Sequence, residues 1–508
     1  RVRFRMGECR NDSGGYFIID GKEKTIVCQE KFADNMLYMR DKGNDLYSHS
    51  AEIRSVSEDA SKPVRTLSVR IVAPSTTLTN NQIVVIVPNA RKPIPLFILM
   101  RALGVESDSD IIDYCLLDQE EYAHYVDLFI PSIHDAGLIF NQTVALKYIA
   151  TLTKGKTIPH ALEILTNYLL PHLGEINFQE KAYFIGYMVK QMLQVFTKEM
   201  KATDRDNFRF KRIELTGSLL YDLFKEYYSL QQKAIFQKFD KEYYYKKGVY
   251  LKNFPSLVEL NAKEFFNERI VADGFRKAFK GNWGSETHTK RVGVVQDVNR
   301  LSFNSYIAQM RKMNLPLDAS AKIVGPRLAH ATQWGIIDPI DTPDGGNVGL
   351  HKNLTIMASV TKGYSAYPML RWLRMNTDLL LLNECTPKII SKLCKVFVNG
   401  KWAGVITDPR KVEQELKTLR RIAVVPTFTS IYWNIEYNTL YIYTDAGRIC
   451  RPIFYTSGAG TKSTQARKPS YLNEAILEKI QQNNFTWEQL ITGFAKKKDD
   501  ANFNLRAN

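Results

Sequence analysis

Thiols are scarce in this chain. Six cysteines are spread over 508 residues, at Cys9, Cys28, Cys115, Cys385, Cys394 and Cys450, and none forms a Cys-x-x-Cys pair. That pattern argues against a zinc knuckle or a redox dithiol and suits a reducing compartment. Long apolar runs are missing too. Stretches such as residues 82–87 are short, β-branched and bounded by Asn and Pro, far below the roughly 20 apolar residues that span a bilayer, so no membrane partner is expected. The eight histidines contain no His-x-x-x-His pair, and no Gly-x-Ser-x-Gly elbow occurs, which leaves a hydrolytic triad without support. Gly458-Ala459-Gly460-Thr461-Lys462-Ser463 superficially resembles a phosphate loop, but Thr461 stands where Gly must precede the lysine, so it is assigned to a linker. No signal-peptide pattern opens the chain. It starts at Arg1, and residues 1–6 read as a strand entered midway, so a fragment or processed piece is expected.

Negative charge is in deficit. Sixty-nine Lys and Arg against 53 Asp and Glu leave a net charge of +16 and a pI of about 9.3. Such a surplus favours a polyanionic partner, most often nucleic acid, though acidic partner subunits fit as well. The remaining composition, 44% hydrophobic and 24% charged, is that of a globular protein, and 508 residues exceed one ordinary core, so several domains are expected.

Local patterns give a mixed α and β chain. Residues 16–19, Asp20-Gly21 and 25–27 read as strand, turn, strand, since Asp-Gly supplies the positive φ angles of a tight hairpin. Residues 64–72 and 82–87 are further strands, and Pro93-Ile94-Pro95 opens a helix over 96–103 that Gly104 stops. From about 106 to 252 the pattern is helical. Apolar residues at three- and four-residue spacing over 183–193 mark a core helix. Thr203-Asp204-Arg205-Asp206 has capping-box spacing before the basic run Arg209-Phe210-Lys211-Arg212 and a helix over 215–224. Tyr243-Tyr244-Tyr245-Lys246-Lys247 reads as a helix with solvated lysines and half-buried tyrosines, or else as a stacking platform for single strands. Beyond 360 the character returns to β, with an Asn399-Gly400 hairpin across 396–405, a helix over 413–421 with a basic end, and a strand over 440–444. The tail 495–508 is polar and expected to fray.

Chemistry concentrates between 281 and 360. Asp338, Asp341 and Asp344 recur every three residues, split by Pro339 and Pro343. Carboxylates converging on magnesium serve nucleotidyl transfer, so a stand-alone metal site is one reading of the trio; a turn stabilised by Asp caps is the reading the prolines favour. Arg311 and Lys312 close a helix beginning near Asn299-Arg300, and 313–325 form a long loop followed by Arg327. A loop flanked by guanidinium and ammonium groups suits phosphate contact; ordinary surface charge is the alternative.

Several motifs occur in order: Gly281-Asn282-Trp283-Gly284, then Gly293-Val294-Val295-Gln296-Asp297-Val298-Asn299-Arg300, then Pro326-Arg327-Leu328-Ala329-His330 through Trp334-Gly335, then Thr342-Pro343-Asp344-Gly345, then Gly349-Leu350-His351-Lys352-Asn353-Leu354. The succession resembles the fork region of the second-largest subunit of multisubunit DNA-directed RNA polymerases, closer to the eukaryotic, archaeal and large-DNA-virus versions than to the bacterial β subunit. Gly14-Gly15-Tyr16-Phe17-Ile18-Ile19-Asp20-Gly21 with Gln29-Glu30, Arg101-Ala102-Leu103-Gly104, Asp204-Arg205-Asp206, Phe397-Val398-Asn399-Gly400 and Thr444-Asp445-Ala446-Gly447-Arg448 extend it over nearly the whole chain.

The resemblance implies an α+β multidomain fold: the end of a first protrusion segment at 1–34, a mixed helical and stranded lobe at 35–203, a second protrusion segment at 204–280, the fork at 281–361, and β-rich external domains at 362–466 and, incomplete, 467–508. It implies a role in DNA-templated transcription: one side of the DNA cleft, with the fork loop near the point of strand separation and ribonucleoside triphosphates close by. Arg327, Asp344 and Asp341 match active-centre-proximal positions, the two Asp residues standing where the family has Glu. Arg311, Lys312 and Lys322 are expected at the fork loop and DNA, and Gln296, Asn299 and Arg300 along the RNA–DNA hybrid. The chain holds no catalytic residue of its own under this reading. Magnesium (Mg2+) belongs to the assembled nucleotidyltransferase, held mainly by the largest subunit, and zinc is expected only in a C-terminal part that this sequence, ending soon after 485–490, does not reach. The largest and smaller polymerase subunits, DNA template, RNA–DNA hybrid and nucleoside triphosphates are the implied partners. The implied location is intracellular: nucleus, cytoplasm or viral factory, or virion. A fragment and a naturally split subunit both fit the extent. A non-catalytic basic nucleic-acid-binding or assembly scaffold is the alternative.

Overall fold

The computed structural model describes residues 7, 9, 12–41, 45–74, 81–245, 250, 253–266, 269–286, 289–452, 478–479 and 481–482. The strand expected at 1–6, Lys246 and Lys247, the linker at 458–463, the stretch 485–490 and the tail 495–508 lie outside them. All six cysteines are free thiols, and no described helix is long and apolar enough to cross a membrane. The fold is α+β, and the chain divides into two units: one of Arg1–Phe32, Asp206–Val360 and Gly447–Arg451, the other of Ala33–Arg205, Thr361–Ala446 and Pro452–Asn508.

The second unit holds the larger core. Strands Leu37–Arg40, Tyr47–Ser55, Arg65–Val72, Ile83–Ile86 and Ile94–Pro95 form an antiparallel sheet in chain order. Alternation puts Ala51, Ile53, Leu67, Val69, Ile71, Ile83 and Val85 inside, as period-two side chains on a half-covered sheet must be. Helices cover that face. The 19-residue helix Phe178–Phe196 buries Tyr183, Phe184, Ile185, Met188, Val189, Met192 and Leu193, the stripe expected to be core. Helix Leu96–Ala102 follows Pro95 and ends before Gly104. The same unit carries a mixed sheet in the order Lys401–Ile406, Cys394–Val398, Thr439–Tyr443, Ser430–Asn434. Asn399 and Gly400, at φ 49° and 83°, close its hairpin, since a two-residue turn of the favoured hand needs two positive φ angles. Helix Pro409–Arg421 is capped by the Asp408 carboxylate, which accepts from Lys411 N at 3.0 Å.

His172 is half-buried in this unit, with Nδ1 2.7 Å from Ser55 Oγ. Burial, and then the neighbouring Lys401 and Lys181 charges, push its imidazole down to about 3. It is neutral when folded and takes a proton when unfolded below its ordinary value near 6.5, so the unfolded state binds more protons in that window. Its contribution is therefore complete above pH 6.5 and is lost as pH falls towards 3, at ~1 kcal/mol per pH unit. Denaturant titrations at pH 7 and pH 5 should show that loss, and His172→Gln should flatten it; equal slopes for the two proteins would refute the assignment.

The first unit is built from segments far apart in sequence. Phe17–Ile19, Lys22–Ile26 and Val295–Asp297 make a three-stranded sheet, its first hairpin turning at Asp20-Gly21 as expected. Helices Thr216–Tyr245 and Ile270–Phe279 pack beside it through Leu219, Leu223, Tyr227, Ala278 and Phe279. The first of these helices runs 30 residues, not the ten anticipated, because neither Gly nor Pro interrupts 218–245. At its end Tyr244 and Tyr245 are exposed rather than half-buried. The anticipated capping box at 203–206 starts no α-helix; Asn207 instead caps the short turn Phe208–Phe210, accepting from Arg209 N at 2.9 Å. The helix expected from 299 to 312 is Phe303–Met310, capped by Ser302 Oγ, which leaves Arg311 just outside it and Lys312 in a strand.

Candidate functional site

A second sheet of the first unit frames the site. Its order is His351–Asn353, Lys312–Asn314, Cys28–Phe32, Lys211–Glu214, so four distant segments meet in strands of three to five residues. One face carries Gln29, Arg212, Glu214, Asn314 and Asn353, all buried and polar. Buried polar groups must find partners, and these do. Arg291 Nη1 donates to Glu214 at 2.8 Å, Arg212 to the Arg209 and Lys211 carbonyls at 2.9 and 2.8 Å, Gln29 to Val27 O at 2.9 Å, and Asn353 to Asp341 O at 3.1 Å. The basic run at 209–212 is therefore split: Lys211 and Arg212 are buried in the sheet, while Arg209 is exposed.

From the end of strand Lys312–Asn314 the chain leaves as a loop whose residues 316–320 and 322–324 are exposed, and it returns at the turn Gly325–Arg327. Arg327 organises this loop. Its guanidinium donates to Ile323 O at 3.2 Å, Gly346 O at 2.5 Å, Val348 O at 3.2 Å, Ala319 O at 3.0 Å and Ala321 O at 3.3 Å. All five acceptors are backbone carbonyls, and a guanidinium has five N–H donors. The side chain thus ties both arms of the loop to the segment 346–348. That segment also approaches Arg327 from the other side: a Cβ added at Gly349, φ 71°, would stand 2.3 Å from Arg327 O.

Asp338 caps a turn, its Oδ1 accepting from Ile340 N at 3.0 Å and Asp341 N at 3.4 Å. Asp341 contributes its carbonyl to Asn353, and Asp344 precedes the short turn Gly345–Asn347 with an exposed side chain. Among the described residues no three carboxylate, imidazole or thiol side chains converge to hold a metal ion. Of the Asp trio only Asp338 caps a turn through its carboxylate; Asp344 makes no side-chain cap bond, and Asp341 enters through its backbone carbonyl.

Arg311 donates to Thr355 O at 2.6 Å and Ala358 O at 3.0 Å, pinning the connection that follows strand His351–Asn353. Lys312 is half-buried, and its charge adds to burial in lowering the neighbouring His351 imidazole below its ordinary value. Lys322 is exposed on the loop. Gln296 donates to Gly293 O at 3.2 Å, and Asn299 Oδ1 accepts from Leu301 N at 2.9 Å. Arg300 grips Glu23 with two bonds, 2.8 and 2.9 Å, between the rings of Tyr16 and Tyr306. Asp12 beside it is held down to about 2, chiefly by the Tyr16 hydroxyl and then the Gly14 N–H. The loop residues and the Gln296–Arg300 stretch thus share one unit, but Arg300 and Arg311 spend their donors on the protein. Sequence reasoning missed Glu30, Lys211 and Lys352, which meet inside the sheet. The available signal was a lysine set between Leu350 and Leu354 in a short β segment, which an exposed strand does not require.

Three family models match in succession: RNA polymerase Rpb2 domain 2 over residues 66–214, domain 3 over 296–360 and domain 4 over 396–457. The DNA-directed RNA polymerase II subunit RPB2 of Encephalitozoon cuniculi is 34% identical over 504 residues, 96% of this chain and 41% of that protein. The DNA-directed RNA polymerase II subunit 2 of Arabidopsis thaliana is 34% identical over 464 residues, 88% of this chain and 38% of that protein. The DNA-directed RNA polymerase III subunit RPC2 of Schizosaccharomyces pombe is 28% identical over 465 residues, 88% of this chain and 38% of that protein. The chain spans about two fifths of the length of such relatives. With the domain models in order along it and a third of its residues shared over most of its length, the chain belongs to the family of RNA polymerase second-largest subunits.

Proposed function

We propose that this chain forms part of a DNA-directed RNA polymerase second-largest subunit, lining one side of the DNA cleft and supplying the fork near the active centre during DNA-templated transcription. The single observation that carries the reading is the exposed loop after strand Lys312–Asn314, held by Arg327 within the stretch that the domain 3 model matches. In this reading the chain does not polymerise RNA alone. Its share is positional and electrostatic: a fixed backbone frame presents an exposed cation, Lys322, and the Asp341 and Asp344 carboxylates beside a loop that separates strands. Magnesium, bound mainly by the largest subunit, would supply charge stabilisation at the transferring phosphoryl group. The domain limits given above, the other polymerase subunits, the nucleic acids and nucleoside triphosphates as partners, and an intracellular site of action belong to the same proposal. A non-catalytic scaffold is not favoured, because the relatives are named as polymerase subunits.

Arg327 provides the test. Arg327→Ala in an assembled polymerase should slow nucleotide addition by about 100-fold, the order at which misplacing a positioning group by ~1 Å is felt, and leave DNA binding intact. Arg327→Lys should recover little, because an ammonium has three donors and no planar fork to span five carbonyls. Unchanged elongation by Arg327→Ala would overturn the reading.

A further inference from the structure

The face of the mixed sheet opposite the polar one bears an ion cluster. The registers Lys352↔Met313, Met313↔Cys28 and Phe32↔Lys211 put Lys352, Glu30 and Lys211 on the same side. Lys352 Nζ lies 2.9 Å from Glu30 Oε2, and Lys211 Nζ lies 3.1 Å from Glu30 Oε1, the three side chains being 8%, 1% and 3% exposed. Asp206, Phe208, Gly325 and Pro326 line the space beside them. Two lysines and two carboxylates thus sit beneath the turn that carries Arg327.

Buried ion clusters add little net stability, because desolvation offsets the attraction between the charges. They do penalise alternatives. Slipping strand His351–Asn353 by one residue would carry Lys352 to the opposite face and leave Glu30 short of a cation in a dry interior. Register matters here because Gly349, three residues before Lys352, packs on the Arg327 backbone, and Arg327 in turn holds the Gly346 and Val348 carbonyls. Segment 346–352 is therefore fixed at one end by Arg327 and at the other by Glu30.

We propose that Lys352 and Glu30 are positioning residues for the Arg327 turn, acting through the register of strand His351–Asn353. The functional half of this inference rests on the reading above, that the turn serves nucleotide addition. The test uses assembled polymerase carrying the full subunit, with hydrogen exchange and nucleotide-addition kinetics measured per assembled complex. Lys352→Met should speed amide exchange across 345–351 at least tenfold, including Gly349 N–H, which donates to Thr342 Oγ1 at 3.0 Å. It should lower kcat about tenfold with little change in KM, and Lys352→Arg should restore most of both. The charge-balanced pair Glu30→Gln with Lys352→Met avoids a stranded carboxylate and should loosen the same segment if the single variant fails to assemble. Unaltered exchange in both variants overturns the inference, as does faster exchange with unaltered kcat where Arg327→Ala slows the enzyme. Faster exchange with Arg327→Ala silent upholds the register assignment and discards the reading of the turn as a nucleotide-addition element.

Discussion

Gly349→Ala should slow nucleotide addition by about 100-fold in an assembled polymerase while leaving the subunit folded and incorporated. Two effects combine at this residue. At φ 71° an L side chain is strained, by roughly 1–2 kcal/mol. The larger effect is steric. The new methyl would stand 2.3 Å from Arg327 O and 2.5 Å from Arg327 Cα, and both are backbone atoms that cannot swing aside as a flexible side chain would. The Arg327 turn must therefore move, and misplacing a positioning group by about 1 Å can cost on the order of 10²-fold in rate. Single-nucleotide addition in preassembled elongation complexes measures it. Gly345→Ala is the matched control: its φ is 74°, yet no atom lies within 4 Å of an added Cβ, so it incurs the strain without the clash. Equal rates for the two variants would show that the contact with Arg327 is immaterial.

The second large effect lies in the other unit. Trp402→Ala should destabilise it by about 3–5 kcal/mol, the range for deleting a large buried aromatic ring. Trp402 is 1% exposed. It is ringed by Tyr183 at 6.3 Å, Tyr187 at 5.7 Å and Phe397 at 5.7 Å between centroids, contacts that add to simple burial. Its Nε1 also donates to Gly404 O at 3.1 Å, and truncation removes that partner. Tyr183 and Tyr187 belong to helix Phe178–Phe196, whereas Phe397 and Trp402 belong to the hairpin turning at Asn399-Gly400. The ring therefore joins helical and stranded portions of one core. Trp402→Phe should recover more than half of the loss. A shift in denaturant midpoint equivalent to less than about 1 kcal/mol for the alanine variant would show that the core collapses around the gap.

Legibility in the sequence followed the chemistry of each strand. Arg65–Val72, Ile83–Ile86 and the Asn399-Gly400 hairpin could be read directly, because alternating β-branched residues and turn chemistry coincide there. The sheet that frames the candidate site could not. Its strands read Cys-Gln-Glu-Lys-Phe, Lys-Arg-Ile-Glu, Lys-Met-Asn and His-Lys-Asn, with no hydrophobic alternation, since charges satisfy one another across the sheet rather than facing water. A pattern of polarity measures affinity for solvent, and here the polar partners are internal. The same blindness affects site residues. Arg311 and Arg327 stood out as cations flanking a loop, yet one donates to the Thr355 and Ala358 carbonyls and the other to five carbonyls. Only coordinates reveal where a donor's bonds go.

The mixed sheet also bears on how a ribosome delivers this molecule. Its earliest strand, Cys28–Phe32, is synthesised long before its latest, His351–Asn353. At ordinary translation speeds the nascent strand waits roughly a quarter of a minute to a minute for the last of its mates. A greasy strand left that long with bare backbone would recruit neighbouring nascent chains. Gln29, Glu30 and Lys31 make it a poor template for such strangers, so the charges that later interlock in the finished sheet first serve as a safeguard against clumping during birth.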